Sequence, residues 1–220
     1  LDAVINHTGP VTPEDSVYPN DWVRTAPKCT YQSYDTYINC TLVDNLPDVK
    51  TENNEAVELP TFLANKWKKE GRYDKEVASL DAFFKKTGYP RAPKYYIMKW
   101  LSDYITDFGI DGYRVDTVKH TTEDVWADFK KVCDMAFEEF KASNPNKVLD
   151  ANPFFMVGEV YGYNISGKKI YDFGDKKVNY FENGFDINNA IEKESNKNFT
   201  TPKSLEDAGL VLRKQPFNYE

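Results

Sequence analysis

Charged and polar side chains crowd the end of GIDGYRVDTVKH, residues 109–120, a stretch that begins like a buried strand. Alternation along a strand places Arg114 and Asp116 on one face, and Lys119 and His120 follow as the chain leaves the strand. A second apolar run, PFFMVGEV at 153–160, presents Glu159 in the same way. Two carboxylates and an arginine facing one cleft indicate acid–base or nucleophilic chemistry.

A third strand, LDAVINH at 1–7, also ends in polar residues. Alternation aligns Asp2, Val4 and Asn6, and His7 stands at the exit, so both histidines of the sequence follow strands of this kind. For any one strand, a structural ion pair or a helix cap explains the polar end equally well. The three strands together favour a functional site.

Paired carboxylates suit acetal hydrolysis, in which one stays ionised to attack the sugar and the other protonates the leaving group. Arg114 lies on the same face as Asp116 and would hold that aspartate charged. The apolar run before Glu159 can raise the pKa of its carboxyl. Asp116 is therefore the predicted nucleophile, and Glu159 the predicted general acid and base.

Strands alternate with amphipathic helices along the chain. Helical patterns occur in PTFLANKWKKEG and DKEVASLDAFFKKTG, and two stronger patterns follow, the first beginning at Pro93 and ending before Gly109. Their apolar positions are Tyr96, Ile97, Trp100, Leu101, Tyr104, Ile105 and Phe108 in the first, and Val125, Trp126, Phe129, Val132, Cys133, Ala136, Phe137 and Phe140 in the second. A weaker strand is predicted around NYFENGFDI. This order predicts an α/β fold with a parallel sheet, whose chemistry gathers at the carboxyl ends of the strands.

Composition narrows the class of partner. The 220 residues carry a formal net charge of -7, which argues against a nucleic-acid partner, and no apolar run approaches the roughly 18 residues of a membrane span. The sequence opens in mid-strand without an initiator methionine, so we interpret it as an internal piece of a larger protein. Cys29 and Cys40 could form a disulfide, and Cys133 is expected to be a buried thiol.

Four motifs resemble those of the α-amylase family, glycoside hydrolase family 13, in the family's order. GYRVDTVKH at 112–120 is similar to the second signature region, DAVINH at 2–7 to the first, GEV at 158–160 to the third, and LPD at 46–48 to the motif near the end of the protruding domain. The resemblance spans nearly the whole chain. The Lys119-His120 ending is similar to α-amylases proper more than to pullulanases or cyclodextrinases.

The resemblance implies a (β/α)8 TIM barrel, present here in part as about strands three to six. Residues 1–7 and 59–220 would belong to the barrel, and residues 8–58 would form the protruding domain, whose boundary could extend to about residue 90. Aromatic residues of this segment could stack on sugars or form its local core: Tyr18, Trp22, Tyr31, Tyr34 and Tyr37.

The resemblance also implies roles for the site residues. Asp116 would form the covalent glycosyl-enzyme, Glu159 would be the general acid/base, and Arg114 would position the nucleophile and also contact the substrate. His7 would contact the sugar at the cleavage subsite, and Lys119 and His120 would contact the sugar on the leaving-group side. A structural Ca²⁺ is implied, held by Asn6, Asp48 and the backbone carbonyl of His120; the same residues could instead only satisfy loop backbone. Asp2 would be the structural partner of a buried arginine.

The sequence departs from the family at the fourth signature region, whose His-Asp motif does not occur here. The third carboxylate is therefore expected outside this chain, and residues 1–220 alone are expected to be inactive. The leading hypothesis is a retaining endo-hydrolase of α-1,4-glucosidic bonds in starch, glycogen or maltooligosaccharides, secreted or periplasmic because glucan polymers are usually met outside the cytoplasm. Three alternatives remain open: a transglycosylase, a non-catalytic glucan- or protein-binding relative, and a hydrolase with a metal on Asp111 and Asp116.

Overall fold

The structure is a computed structural model that describes residues 1–9, 18–30, 36–160 and the backbone of 179–182. Its strands, in chain order, are β1 (Asp2–Ala3), β2 (Val23–Arg24), β3 (Asp48–Val49), β4 (Gly112–Val115), β5 (Phe155–Val160) and β6 (Asn179–Glu182). Four of them form one sheet in the order β1-β4-β5-β6, and every neighbouring pair is parallel. The predicted parallel sheet is confirmed, as is the weaker strand, which is β6.

The helices are α1 (Thr61–Lys69), α2 (Tyr73–Thr87), α3 (Pro93–Phe108) and α4 (Glu123–Ser143). Pro93 occupies the first turn of α3, where its missing N–H costs no hydrogen bond, and Gly88 and Gly109 end α2 and α3 in the left-handed conformation. These boundaries match the sequence prediction. Short 3-10 helices lie at Val118–His120 and Pro145–Lys147.

In the part of the chain that is described, no helix combines the length and the apolar character that crossing a membrane requires.

One face of the sheet packs against helix α4. Tyr113 of β4 and Phe154, beside β5, are buried, and their rings lie 5.5 Å apart. Tyr113 also stacks 5.7 Å from Phe129, while Phe154 lies 5.6 Å from Phe137. Each such aromatic pair adds about 0.5–1.5 kcal/mol to the free energy gained by burial. Because side chains alternate along β4, the neighbours of Tyr113 point to the opposite face of the sheet, away from the helices.

The predicted apolar face of α4 is confirmed, since all eight of its positions are buried. The prediction for α3 is partly wrong. Tyr104 and Phe108 are 48% and 72% exposed, whereas Tyr95 and Met98 are buried outside the predicted stripe. Helix α3 is covered on several sides because α2, α4 and the aromatic side chain of Trp22 all contact it. The spacing of apolar residues identifies one buried face of α3 and does not identify its other buried positions.

Strand β1 is shorter than the predicted strand at 1–7. Beyond Ala3 the chain leaves the parallel sheet and pairs with the inserted segment instead: the Thr8 amide donates to the Pro47 carbonyl at 3.0 Å, and the Val49 amide donates to the Asn6 carbonyl at 2.8 Å. His7 and Asp48 form an antiparallel bridge at the same place. The inserted segment is thereby fixed to the carboxyl end of β1.

The inserted segment packs against the rest of the fold. Strands β2 and β3 form an antiparallel ribbon, and a disulfide joins Cys29 to Cys40, a pairing that the sequence left open. Trp22 and Tyr37 are fully buried, but Trp22 packs against Tyr96 of α3 and Tyr37 packs against His120, so neither belongs to a separate local core. Tyr31 and Tyr34 lie outside the described residues. Cys133 is a buried thiol, as expected.

Replacing Gly109 with alanine is expected to destabilise the fold more than the same change at Gly88. Both glycines have φ near +70°, which costs an L-residue about 1–2 kcal/mol. At Gly109, however, an added Cβ would lie 2.1 Å from the Phe140 ring, whereas nothing lies within 4 Å of a Cβ at Gly88. Urea unfolding of the protein that contains this chain should therefore show Gly109→Ala to be less stable than Gly88→Ala by roughly 1–3 kcal/mol, the usual cost of overpacking. Equal losses would contradict the contact with Phe140.

Candidate active site

The parallel register brings the predicted catalytic residues to one end of the sheet. Arg114 of β4 is paired with Asp2 of β1 on one side and with Val157 of β5 on the other. Asp116 follows two residues after Arg114, and Glu159 two residues after Val157, so both carboxyls emerge on the same face at the same level. The Asp116 amide donates to the Ala3 carbonyl at 2.9 Å, which fixes the backbone beside the nucleophile candidate.

Arg114 connects the carboxylates of the three strands. Its Nη1 lies 2.8 Å from Asp116 Oδ1 and 3.3 Å from Asp2 Oδ1, and its Nη2 lies 2.9 Å from Glu159 Oε1. Burial alone would lower the pKa of Arg114, but the three carboxylates, Glu159 first, raise it above its ordinary value. Asp2 was expected to pair with a buried arginine; its partner is Arg114, whose side chain is 31% exposed and faces the open side of the sheet.

Glu159 has the electrostatic character of a proton donor. Burial raises the pKa of its carboxyl, and the charge of Asp116 and a hydrogen bond with Asp116 raise it further. Arg114 and the Thr117 backbone N–H oppose this shift without cancelling it. The sequence prediction that the surroundings of Glu159 would raise its pKa agrees with this direction. Two neighbouring carboxyl groups that share a hydrogen bond hold a proton between them more readily than either does alone.

Thr117 is a site residue that sequence reasoning missed. Its φ of +51° is rare for a β-branched side chain and turns the chain sharply after Asp116. The turn lets its N–H reach Glu159, while its hydroxyl hydrogen-bonds to Asn6 Oδ1. The one signal in the sequence is a threonine placed immediately after a strand-ending carboxylate, and this does not reveal the left-handed conformation.

Besides Arg114, the predicted substrate contacts are His7, Lys119 and His120, and these three side chains are buried to different extents. His7 is half-buried; burial lowers the pKa of its imidazole, and the nearby Asp116 charge opposes this. Lys119 and His120 are buried in the 3-10 turn, at 1% and 6% exposure. Burial lowers the pKa of His120 to about 4, so its imidazole is neutral at physiological pH.

Two of the predicted calcium ligands, Asn6 and Asp48, are buried at the junction between β1 and the inserted segment, and Asn6 Oδ1 also lies 2.8 Å from His7 Nδ1. Burial raises the pKa of Asp48 to about 7, and Arg24, whose Nε lies 2.9 Å from Asp48 Oδ2, partly offsets the shift. Arg24 is therefore a cation paired with Asp48 in this structure. The side-chain oxygens of Asn6 and Asp48 are of the type that a hard cation takes as ligands. Among the described residues, no group of three or more His, Cys, Asp or Glu side chains is arranged to hold a metal.

A metal centre on Asp111 and Asp116 is excluded by the strand between them. Asp111 precedes β4 and Asp116 follows it, so the four residues of the strand lie between them, and five steps along extended chain place them about 16 Å apart. Asp116 is moreover paired with Arg114. The arrangement supports carboxylate chemistry without a metal shared by these two residues.

The sequence of a characterised relative contains a similar segment. Over 136 residues, 61% of this chain, it is 37% identical to a periplasmic α-amylase of Escherichia coli (strain K12). The match covers 18% of that relative, so this chain spans less than a fifth of its length. No protein-family model matches the chain. The resemblance to α-amylases that the four motifs indicated is confirmed by this relative.

Two solved structures of α-amylases are similar to this chain. An Anoxybacillus α-amylase superposes with a TM-score of 0.50 at 20% identity, over 88% of this chain and 31% of that one. An α-amylase from Geobacillus thermoleovorans, solved in complex with acarbose, matches with a TM-score of 0.43 at 23% identity, over 73% of this chain and 25% of that one. The first of these supports an α/β fold of the α-amylase kind for the described parallel sheet.

Proposed function

We propose that this chain is part of the catalytic (β/α)8 barrel of an α-amylase, a retaining endo-hydrolase of α-1,4-glucosidic bonds in starch, glycogen or maltooligosaccharides. The observation that carries the proposal is the arginine bridge between Asp116 and Glu159 at the carboxyl ends of adjacent parallel strands. The raised pKa of the Glu159 carboxyl supports its role as the proton donor. The 37% identity to a periplasmic α-amylase supports the substrate class.

In the first step, the ionised Asp116 carboxylate attacks the anomeric carbon as the glycosidic bond breaks. Glu159 gives its proton to the departing glycosidic oxygen, so the leaving sugar departs as a neutral alcohol. Arg114 stays bound to the nucleophile at 2.8 Å and orients its carboxylate for the attack.

In the second step, water attacks the same carbon and Glu159, now ionised, takes its proton. The bond to Asp116 breaks, the carboxylate is restored, and the sugar is released with its original anomeric configuration. His7 would contact the sugar at the cleavage subsite, and Lys119 and His120 the sugar on the leaving-group side.

The stereochemistry of the first product tests the mechanism. Maltooligosaccharide hydrolysis by the protein that contains this chain, followed by ¹H NMR, should release the α-anomer first and the β-anomer only by later mutarotation. Initial release of the β-anomer would refute the double displacement. The same time course should contain no chains longer than the substrate; such chains would point to transglycosylation.

The open face of the sheet explains why residues 1–220 alone are expected to be inactive. Val4 and Phe155 lie on this face and are 36% and 43% exposed, beside the ion pairs of Arg114. In a closed barrel this face is filled by side chains of the other strands. Starch hydrolysis by the isolated segment would contradict this expectation.

The disulfide between Cys29 and Cys40 supports a secreted or periplasmic location, because such bonds persist in oxidising compartments. The relative named as periplasmic supports the same location.

We also propose that Asn6, Asp48 and the His120 carbonyl hold a structural Ca²⁺ that ties the inserted segment to the barrel. Chelation with EDTA is expected to lower the free energy of unfolding by about 2.7 kcal/mol, the contribution of a ligand present at roughly one hundred times its Kd. Asp48→Asn should remove this sensitivity to EDTA. Asp44→Asn, which changes an exposed aspartate of the same loop, should keep it. If Asp48→Asn remained as sensitive as the unmodified protein, these ligands would be wrong.

A further inference from the structure

Tyr37, in the inserted segment, contacts the turn that follows β4. The residue is completely buried, and its carbonyl oxygen lies 2.6 Å from His120 Nδ1. Its ring meets the imidazole of His120 edge-on, with centroids 5.8 Å apart and planes at 83°. The Nζ of Lys119 lies over the same ring, 5.4 Å from its centroid. One residue therefore contacts both side chains that are predicted to hold the leaving-group sugar.

The backbone around Tyr37 is held on both sides. The disulfide joins Cys29 to Cys40, the Cys29 amide donates to the Thr41 carbonyl at 3.0 Å, and the Thr30 amide donates to the Thr36 carbonyl at 3.0 Å. These contacts fix the position of the Tyr37 carbonyl relative to the rest of the inserted segment.

The turn that carries Lys119 and His120 is also held from the helix side. The indole N–H of Trp126, in α4, donates to the Val118 carbonyl at 2.8 Å. The His120 amide donates to the Thr117 carbonyl at 3.0 Å, which closes the turn. Tyr37 and Trp126 thus hold the turn through two separate elements of the fold.

We propose that Tyr37 is a positioning residue for the leaving-group side of the cleft, orienting Lys119 through its ring and His120 through its carbonyl. The inference rests on the proposed function, in which those two side chains contact the leaving-group sugar. Because a carbonyl only accepts hydrogen bonds, the His120 Nδ1–H donates to the Tyr37 carbonyl, and this contact fixes the orientation of the imidazole.

Isosteric changes at Tyr37 test the ring's role in the protein that contains this chain. Tyr37→Phe keeps the aromatic face and is expected to leave the KM for maltoheptaose unchanged. Pentafluorophenylalanine at position 37 keeps the shape but reverses the charge distribution of the ring. It is expected to raise that KM by about threefold to thirtyfold, the range of a buried cation–π contact, with a smaller effect on kcat. Tyr37→Leu should behave like the fluorinated variant.

A substrate without sugars on the leaving-group side separates positioning from general damage. For a nitrophenyl maltoside cleaved at the nitrophenolate bond, all three variants are expected to keep the original KM and kcat. An equal rise in KM for both substrates, or no rise for the fluorinated variant, would overturn the proposal. Should Tyr37→Leu fail to fold, the fluorinated variant still decides, since it preserves packing. If Asp116→Asn lost turnover while the fluorinated variant kept the original KM for maltoheptaose, the proposed function would stand. The positioning role of Tyr37 would then be rejected.

Discussion

Asp116→Asn is expected to lower kcat on starch by roughly 10⁴ to 10⁶, the scale seen when a covalent nucleophile is removed. An amide at this position cannot form the glycosyl ester, and it carries no charge to stabilise the developing cation. Glucan binding should survive, because His7, Lys119 and His120 are unchanged and Arg114 keeps its contacts with Asp2 and Glu159. Turnover is measured as reducing ends released, and binding by retention on immobilised starch.

Asp111→Asn provides a matched control for that change. It makes the same substitution at the other end of β4, at an exposed position from which the side chain cannot reach the site. Its kcat should equal that of the unmodified protein. Near-normal turnover by Asp116→Asn would remove the nucleophile from the proposed mechanism.

Glu159→Gln is expected to reduce kcat on starch by about 10²- to 10⁴-fold, the usual contribution of a general acid or base. The loss should be smaller in glycosyl-enzyme formation from a nitrophenyl maltoside, since nitrophenolate departs without a proton. Azide, which needs no general base, should restore turnover of that substrate by intercepting the glycosyl-enzyme. Glu138→Gln, on the exposed side of α4, should behave as the unmodified protein. Without rescue by azide, Glu159 would not be the acid/base.

The raised pKa of Glu159 gives this variant two further signatures. The alkaline limb of kcat/KM, which reports loss of the acid's proton, should disappear in Glu159→Gln. The second signature is the free energy of unfolding, which should be higher in Glu159→Gln although its activity is lower. Because the folded-state pKa lies above the ordinary 4.5, the folded state binds more protons than the unfolded chain between pH 4.5 and the folded-state pKa. The free energy of unfolding therefore falls as pH rises from 4.5 through the folded-state pKa. At neutral pH, Glu159→Gln should therefore be the more stable protein in urea unfolding.

Local patterns in the sequence predicted the elements and the faces on which they carry charge. Alternation in two short strands placed Arg114, Asp116 and Glu159 on one face, and the structure places them in mutual contact. Helix ends at Gly88 and Gly109 followed from the conformational freedom of glycine. These features depend on residues close together in sequence, which is why they could be read without coordinates.

Features that depend on distant partners escaped prediction. The bridge between His7 and Asp48 removes residues after Ala3 from the sheet, and nothing within 1–7 indicates it. Tyr37 could be recognised as an aromatic of the inserted segment but not as the partner of His120, because 83 residues separate them. The left-handed Thr117 is held by the hydroxyl contact with Asn6, across 111 residues. Such conformations are imposed by tertiary contacts that override local preference.

The pairing of β1 with β4 also has a kinetic consequence. Arg114 and Asp2 meet across 112 residues, and the whole inserted segment with α1, α2 and α3 lies between them. Closing a loop of that length must precede any gain from the contact, and folds dominated by non-local pairings fold slowly. The sheet edge of β4 that receives β1 remains unpaired during this interval and is open to pairing with other chains. We therefore expect the Arg114–Asp2 ion pair to form late in folding, and the edge of β4 to stay open to aggregation until it does.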